Sequence, residues 1–147
     1  QTPSIVVAPV RLKAEKIGAG RDNSCSSLYH LIRGGVFKLR TSPFFFQKFG
    51  IEAPRILSKI GADPESPTIS EMLDSWDIQA GVEYLDIIQI GSRNRSNFSL
   101  FEEMGKTRHR VLLKRGYMST VSGFLLAAEY IVYERNTNVI LYEKRIW

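Results

Sequence analysis

Six short apolar runs, each closed by a polar or turn-forming residue and separated from the next by a stretch with helical character, restrict this chain to a layered α/β fold. The runs are Ile-Val-Val-Ala at 5–8, Val-Phe-Lys at 36–38, Pro-Thr-Ile-Ser-Glu-Met at 67–72, Asp-Ile-Ile-Gln-Ile at 86–90, Val-Leu-Leu-Lys at 111–114 and Asn-Val-Ile-Leu-Tyr at 138–142. Their apolar residues are nearly continuous rather than alternating, the pattern of strands in a parallel sheet with both faces covered. With 147 residues and 44% hydrophobic composition, the chain is long enough to bury one core, and a single domain over 1–147 is expected.

The intervening segments carry helix signals of unequal strength. Gly18, Gly20 and the polar cluster at 21–24 break the first, confining helix to about 11–17 and 26–32. Ile51, Ile56, Leu57 and Ile60 have helical spacing, Pro54 sits near a first turn and Gly61 suits a C-cap. A short helix is expected over 75–80. Phe98, Leu100, Phe101 and Met104 then form an apolar stripe that Gly105 would cap. Thr120 is placed to N-cap a longer helix with Val121, Phe124, Leu125, Ala128 and Ile131 on its apolar face.

In parallel α/β folds ligands gather at the C-terminal ends of the strands. Those ends carry Lys38 and Arg40, Glu71, Arg93, Lys114 and Glu143, so charged residues recur at one phase of successive units. The densest group follows the glycine pair Gly34-Gly35, where Lys38, Arg40, Thr41 and Ser42 set two cations and two hydroxyls at a strand exit before Pro43 forces a turn. A guanidinium forks onto phosphate oxygens and an ammonium adds a compact charge, which makes a phosphorylated ligand the natural guest. Solvated basic residues at an ordinary strand exit would look the same locally; the recurrence at other strand ends favours a shared site.

Charge and cysteine usage narrow the partners. Twenty Lys and Arg against 15 Asp and Glu give +5, an excess spread along the chain without a basic run, which suits small phosphorylated metabolites and not nucleic acid. The lone Cys25 precludes an intramolecular disulfide and fits a reducing, cytoplasmic setting. The apolar stretch before Arg11 is too short for a signal peptide or membrane span, and no membrane partner is expected.

Five segments in order resemble the class I 3-deoxy-D-arabino-heptulosonate 7-phosphate (DAHP) synthases, the first enzymes of the shikimate pathway. They are Arg-Gly-Gly-Val-Phe-Lys-Leu-Arg-Thr-Ser-Pro at 33–43, Asp-Ile-Ile-Gln-Ile-Gly-Ser-Arg-Asn at 86–94, Val-Leu-Leu-Lys-Arg-Gly at 111–116, Ala-Ala-Glu-Tyr-Ile at 127–131 and Asn-Val-Ile-Leu-Tyr-Glu at 138–143. The resemblance implies a partial (β/α)₈ TIM-type barrel, with this chain supplying about the first six β/α units. It implies the condensation of phosphoenolpyruvate with erythrose 4-phosphate, helped in the family by a divalent metal such as manganese. Lys38 would then lie between the substrates as the catalytic lysine. Arg40 and Thr41, with Ser42 beside them, would hold the sugar phosphate, and Arg93 and Lys114 would hold phosphoenolpyruvate. Glu71 and Glu143 match acidic positions that would orient lysines and water.

The departures from the family pattern shape the expectation. The family's Gly-Pro-Cys-Ser, with its metal-binding cysteine, is here Ala8-Pro9-Val10-Arg11; Lys-Pro-Arg is Lys38-Leu39-Arg40; and Glu-Arg-Gly-Ile-Arg is Glu143-Lys144-Arg145-Ile146-Trp147. The glycine that ends the fifth helix is replaced by Arg135, next to Asn136. His30 and His109 lie in the wrong segments to ligate a metal, and the family's other ligands come from later strands. No cofactor site is therefore expected within this chain, and little condensation from it alone. The first and last strands would present open edges, to be covered by a second copy or a complementing fragment. The alternatives are a noncatalytic module that binds a phosphometabolite or a synthase, and a drifted paralogue whose motifs are relics.

Overall fold

The computed structural model describes residues 7–10, 31–34, 52–60 and 67–143. Six strands form one parallel sheet: β1 (Val7–Val10), β2 (Leu31–Gly34), β3 (Thr68–Met72), β4 (Ile87–Ile90), β5 (Val111–Lys114) and β6 (Val139–Tyr142). Their order is β1-β2-β3-β4-β5-β6, each strand beside its sequence neighbour. Among the described residues, four helices accompany them: α1 (Glu52–Ile60), α2 (Ile78–Tyr84), α3 (Phe98–Thr107) and α4 (Val121–Tyr133).

A sequential parallel order has a direct consequence. Crossovers of one hand, repeated in one direction, bring every helix to the same face of the sheet. The side chains divide accordingly. Met72, Ile88, Ile90, Val111 and Leu113 point into a core with Leu57, Leu100, Phe101, Met104 and Ile131 from the helices. The alternate residues Ile69, Ile87 and Leu112 form a separate cluster on the opposite face. Among the described residues the helices cover one face of the sheet, while the other face is lined by this second apolar cluster. The strands still read as continuous apolar runs because the second face keeps its own apolar layer.

Neighbouring units are fastened by polar contacts as well as by packing. Thr68 donates from its backbone N–H and its hydroxyl to Asp86 Oδ2, each at 2.8 Å, joining the starts of β3 and β4. The buried Ser70 hydroxyl donates to Gly34 O at 2.9 Å, linking β3 to β2. Asn136 is wholly buried; its amide donates to Met104 O and His109 O at 3.2 and 2.8 Å, and its oxygen accepts from Asn138 N–H at 3.0 Å. One side chain therefore ties the end of α3, the entry to β5 and the entry to β6.

Several expectations need correction. The first strand passes through Pro9 to Val10, which an edge strand tolerates because a missing N–H there need not break the ladder. The second strand is Leu31–Gly34, so the helix expected over 26–32 does not run to its end; 36–38 lies outside the described residues, as do 11–17 and Gly61. The expected helix at 75–80 is a 3₁₀ turn at Ser75–Asp77 followed by α2. Gly105 lies inside α3 and does not cap it: the cap is Arg108, at φ 55°. The glycine serves packing, since a Cβ there would meet Glu134 Cβ at 2.5 Å and the Ile131 carbonyl oxygen at 2.8 Å, where α4 ends against α3. Thr120 does cap α4, accepting from Gly123 N–H at 3.0 Å. Ala127, Ala128 and Ile131 make its buried face, while Val121 and Leu125 are exposed. Among the described residues no helix is long and apolar enough to cross a membrane.

Candidate anion-binding site

The C-terminal ends of β2 to β5 converge on a cleft of about 280 Å³ lined by Arg33, Glu71, Leu73, Arg93 and Lys114, with Gly91 and Ser92 completing its wall. Four successive strand ends supply it. Arg33 precedes the last residue of β2, Glu71 occupies the same phase of β3, and Lys114 ends β5. Arg93 comes from the 3₁₀ turn Ser92–Asn94 that follows β4.

That turn is held in place by its own last residue. Asn94 donates through its side-chain amide to Leu73 O at 2.9 Å and Met72 O at 3.4 Å, while its backbone N–H bonds Gly91 O at 3.0 Å. The end of β3 therefore fixes the turn that carries Ser92 and Arg93. Gly91 is needed for a second reason: a Cβ at this position would fall 1.8 Å from Glu71 Oε1. Glu71 occupies the space that the missing side chain leaves, and from there its carboxylate stands 3.7 Å from Arg33 Nη2.

The electrostatics favour an anion. Three cations line the cleft with one carboxylate, and the Arg33–Glu71 ion pair among them is long. Among the described residues, Arg33 Nε is buried and has no hydrogen-bond partner. Lys114 lies over the ring of Tyr142, its Nζ 5.8 Å from the centroid. Arg93 is exposed toward solvent. A larger, mostly apolar cleft of about 510 Å³ opens between α3 and α4 and shares Gly91 and Lys114 with this one. Its walls are Phe98, Phe101, Phe124 and Tyr130, so the anion chemistry belongs to the smaller cleft.

Of the residues singled out in the sequence, Glu71, Arg93 and Lys114 are brought together here. Glu143 is not: it follows β6 and pairs with the Arg115 guanidinium outside the cleft. Lys38, Arg40, Thr41 and Ser42 lie outside the described residues. The structure adds Arg33 and Ser92. Arg33 stands at the start of the motif at 33–43 and shares a strand-end phase with Glu71, a signal that the prominent cations further on obscured.

The family resemblance implies a divalent metal. The position matching the family's ligand cysteine carries Val10, which has no donor atom, and among the described residues no group of three or more His, Cys, Asp or Glu side chains could hold a metal ion. The residues described do not fit the group.

Comparison with known proteins places these features in a family. A profile described as the DAHP synthetase I family matches residues 14–147. A phospho-2-dehydro-3-deoxyheptonate aldolase of Thermotoga maritima is 43% identical over 116 residues, which is 79% of this chain and 34% of that protein. The crystal structure of the Thermotoga maritima phospho-2-dehydro-3-deoxyheptonate aldolase (DAHP synthase) superposes with a TM-score of 0.69 at 41% identity, covering 77% of this chain and 32% of that one. A truncated form of 3-deoxy-D-arabino-heptulosonate 7-phosphate synthase from the same organism gives 0.65 at 38% identity, covering 77% and 39%. The chain thus spans about a third of the length of these relatives.

Proposed function

The chain belongs to the DAHP synthetase I family, and from that premise we propose that its strand-end cleft binds phosphoenolpyruvate for condensation with erythrose 4-phosphate. The observation that carries this reading is the convergence of Arg33, Arg93 and Lys114 on one cleft at the C-terminal ends of a parallel sheet. Phosphoenolpyruvate presents a phosphate and a carboxylate on a small rigid frame. Two guanidiniums and an ammonium, delivered from β2, the β4 turn and β5, can engage both groups while Glu71 holds Arg33 in orientation. Bringing a second phosphorylated substrate alongside requires cations to offset the repulsion between two anions as well as to position them. In this proposal Lys38 lies between the substrates, and Arg40, Thr41 and Ser42 hold the sugar phosphate, on the strength of their place in the motif at 33–43.

The sequential, all-parallel strand order supports reading the six strands as consecutive units of a (β/α)₈ barrel within one domain. On that reading the face carrying Ile69, Ile87 and Leu112 is the barrel interior. The outer edges of β1 and β6 in the described sheet are where further strands would pair, from the same protein, a second copy or a complementing fragment. A cytoplasmic setting belongs to the same proposal, since phosphorylated metabolites and the lone Cys25 both suit it.

Titration calorimetry with phosphoenolpyruvate tests the reading. The chain is expected to bind it, and Arg93→Ala or Lys114→Ala to weaken binding by about tenfold or more, the scale of losing a hydrogen-bonded charge. No heat from the unsubstituted chain, or binding indifferent to both substitutions, refutes it. A turnover assay with erythrose 4-phosphate and manganese separates condensation from binding alone.

A further inference from the structure

We propose that Tyr142 is a positioning residue for Lys114: its ring orders the ammonium at the mouth of the cleft and leaves its charge available to an incoming phosphate or carboxylate. The inference rests on the anion-binding reading of that cleft. Lys114 and Tyr142 are paired directly in the β5–β6 register, so their side chains rise from the same face of the sheet. Lys114 Nζ stands 5.8 Å from the ring centroid, within the reach of a cation–π contact.

The ring does not hang on a loose strand end. Arg115 N–H donates to Tyr142 O at 2.9 Å, and the Arg115 guanidinium pairs with Glu143 while its Nε donates to Ser119 O at 3.1 Å. The backbone on both sides of the Lys114–Tyr142 pair is therefore fastened. This lacing also occupies Glu143, the acid next to the ring. Among the described residues, no ion pair involves Lys114.

The choice of a ring over a carboxylate has a chemical consequence. A carboxylate at Tyr142 would order the lysine but neutralise the charge that a ligand needs, and an anion would have to displace it. The face of a neutral ring attracts the ammonium weakly and does not compete for it as an anion does. A flexible four-carbon stem held this way has already lost part of the rotamer freedom that binding would otherwise remove.

The test compares the unsubstituted chain with Tyr142→Phe, Tyr142→Leu and Tyr142→Thr, each with its fold confirmed by circular dichroism. The last two lack a ring yet suit a half-exposed strand position. In NMR spectra the Lys114 ε-methylene protons, assigned through Lys114→Arg, are expected upfield of their ordinary position in the unsubstituted chain and in Tyr142→Phe, and at the ordinary position in both ringless variants. Phosphoenolpyruvate affinity is expected to be kept in Tyr142→Phe and to fall about two- to fivefold in the ringless variants. In a Lys114→Ala background the ringless substitutions are expected to add nothing. Unchanged or tighter binding without the ring, no upfield shift in the unsubstituted chain, or an additive effect in the double variant overturns the inference while leaving the anion site standing. Failure of the unsubstituted chain to bind phosphoenolpyruvate overturns both.

Discussion

Arg135 sits at φ 69° just past Glu134, the C-cap of α4, its N–H bonded to Val132 O at 2.8 Å. A side chain in this left-handed region crowds its own backbone, at a cost of roughly 1 kcal/mol that glycine does not incur. The turn keeps the geometry because the next residue, Asn136, is locked by three hydrogen bonds and leaves the chain no other way in. Arg135→Gly is accordingly expected to stabilise the protein by about 0.5–1 kcal/mol, read as a higher urea midpoint at constant slope. This position was legible in the sequence as the place where a family glycine is absent. A second residue was set aside in the sequence as a metal ligand and weighs instead on stability. His109 is half-buried with its Nε2 unpartnered; burial holds its pKa below the usual histidine value, Arg110 adds to this, and a backbone hydrogen bond with Leu85 and the charge of Asp86 oppose it. As pH falls, the unfolded histidine takes up its proton first, near its ordinary value of about 6.5. The stability that goes with a neutral His109 is thus complete above that pH and declines below it, until the folded imidazole also charges. Denaturation at about pH 7.5 and about pH 5.5 is expected to show a larger drop in the unsubstituted chain than in His109→Gln, and equal drops would dismiss the effect.

At the scale of elements, legibility followed the local apolar pattern. The strands β3 to β6 lie within a residue or so of the runs that announce them, because apolar residues flanked by turn signals leave little else to choose. β2 was missed: Leu31-Ile32-Arg33-Gly34 offers two apolar residues, a cation and a glycine, and the Val36-Phe37 pair nearby has the stronger strand signal. Its identity as a strand comes from lateral pairing with β1 and β3, which no local pattern reports. The same reason hid the role of Arg33, whose place at a strand end is apparent only once β2 is located. Gly105 shows a related ambiguity, since a glycine near a helix end can serve as a cap or as a point of close approach, and only the position of α4 decides. Asn136 matters more than its single amide suggests, because it ties the end of α3 to the entries of β5 and β6, which the β5–β6 ladder alone does not. Asn136→Ala removes partners from two carbonyls and an N–H at a buried site, and is expected to cost about 2–4 kcal/mol. A loss below about 1 kcal/mol in chemical denaturation would mean that water replaces the amide there.

Across the described sheet, each of the four central units, from β2 to β5, contributes one or two polar side chains to the cleft. Arg33, Glu71, Arg93 and Lys114 belong to consecutive units and are joined by one long ion pair, while three like charges sit together without a ligand. A bound dianion would replace that repulsion with attraction and cross-link the units through the site, so ligand binding and fold stability are linked. A ligand that binds only the folded chain stabilises it by about 2.7 kcal/mol at a hundred times its dissociation constant. For a domain of this size that corresponds to a rise in Tm on the order of 5–10 °C. Phosphoenolpyruvate is expected to produce such a rise, inorganic phosphate a smaller one because it lacks the carboxylate, and Arg93→Ala to diminish both. Added salt should reduce the effect, since the exposed Arg93 is screened more than the half-buried Arg33. The informative comparison is between the two ligands at equal ionic strength. Equal shifts for phosphate and phosphoenolpyruvate would reduce the site to a general anion seat, whereas a larger shift for phosphoenolpyruvate that depends on Arg93 and Lys114 requires the cleft to read both of its charged groups.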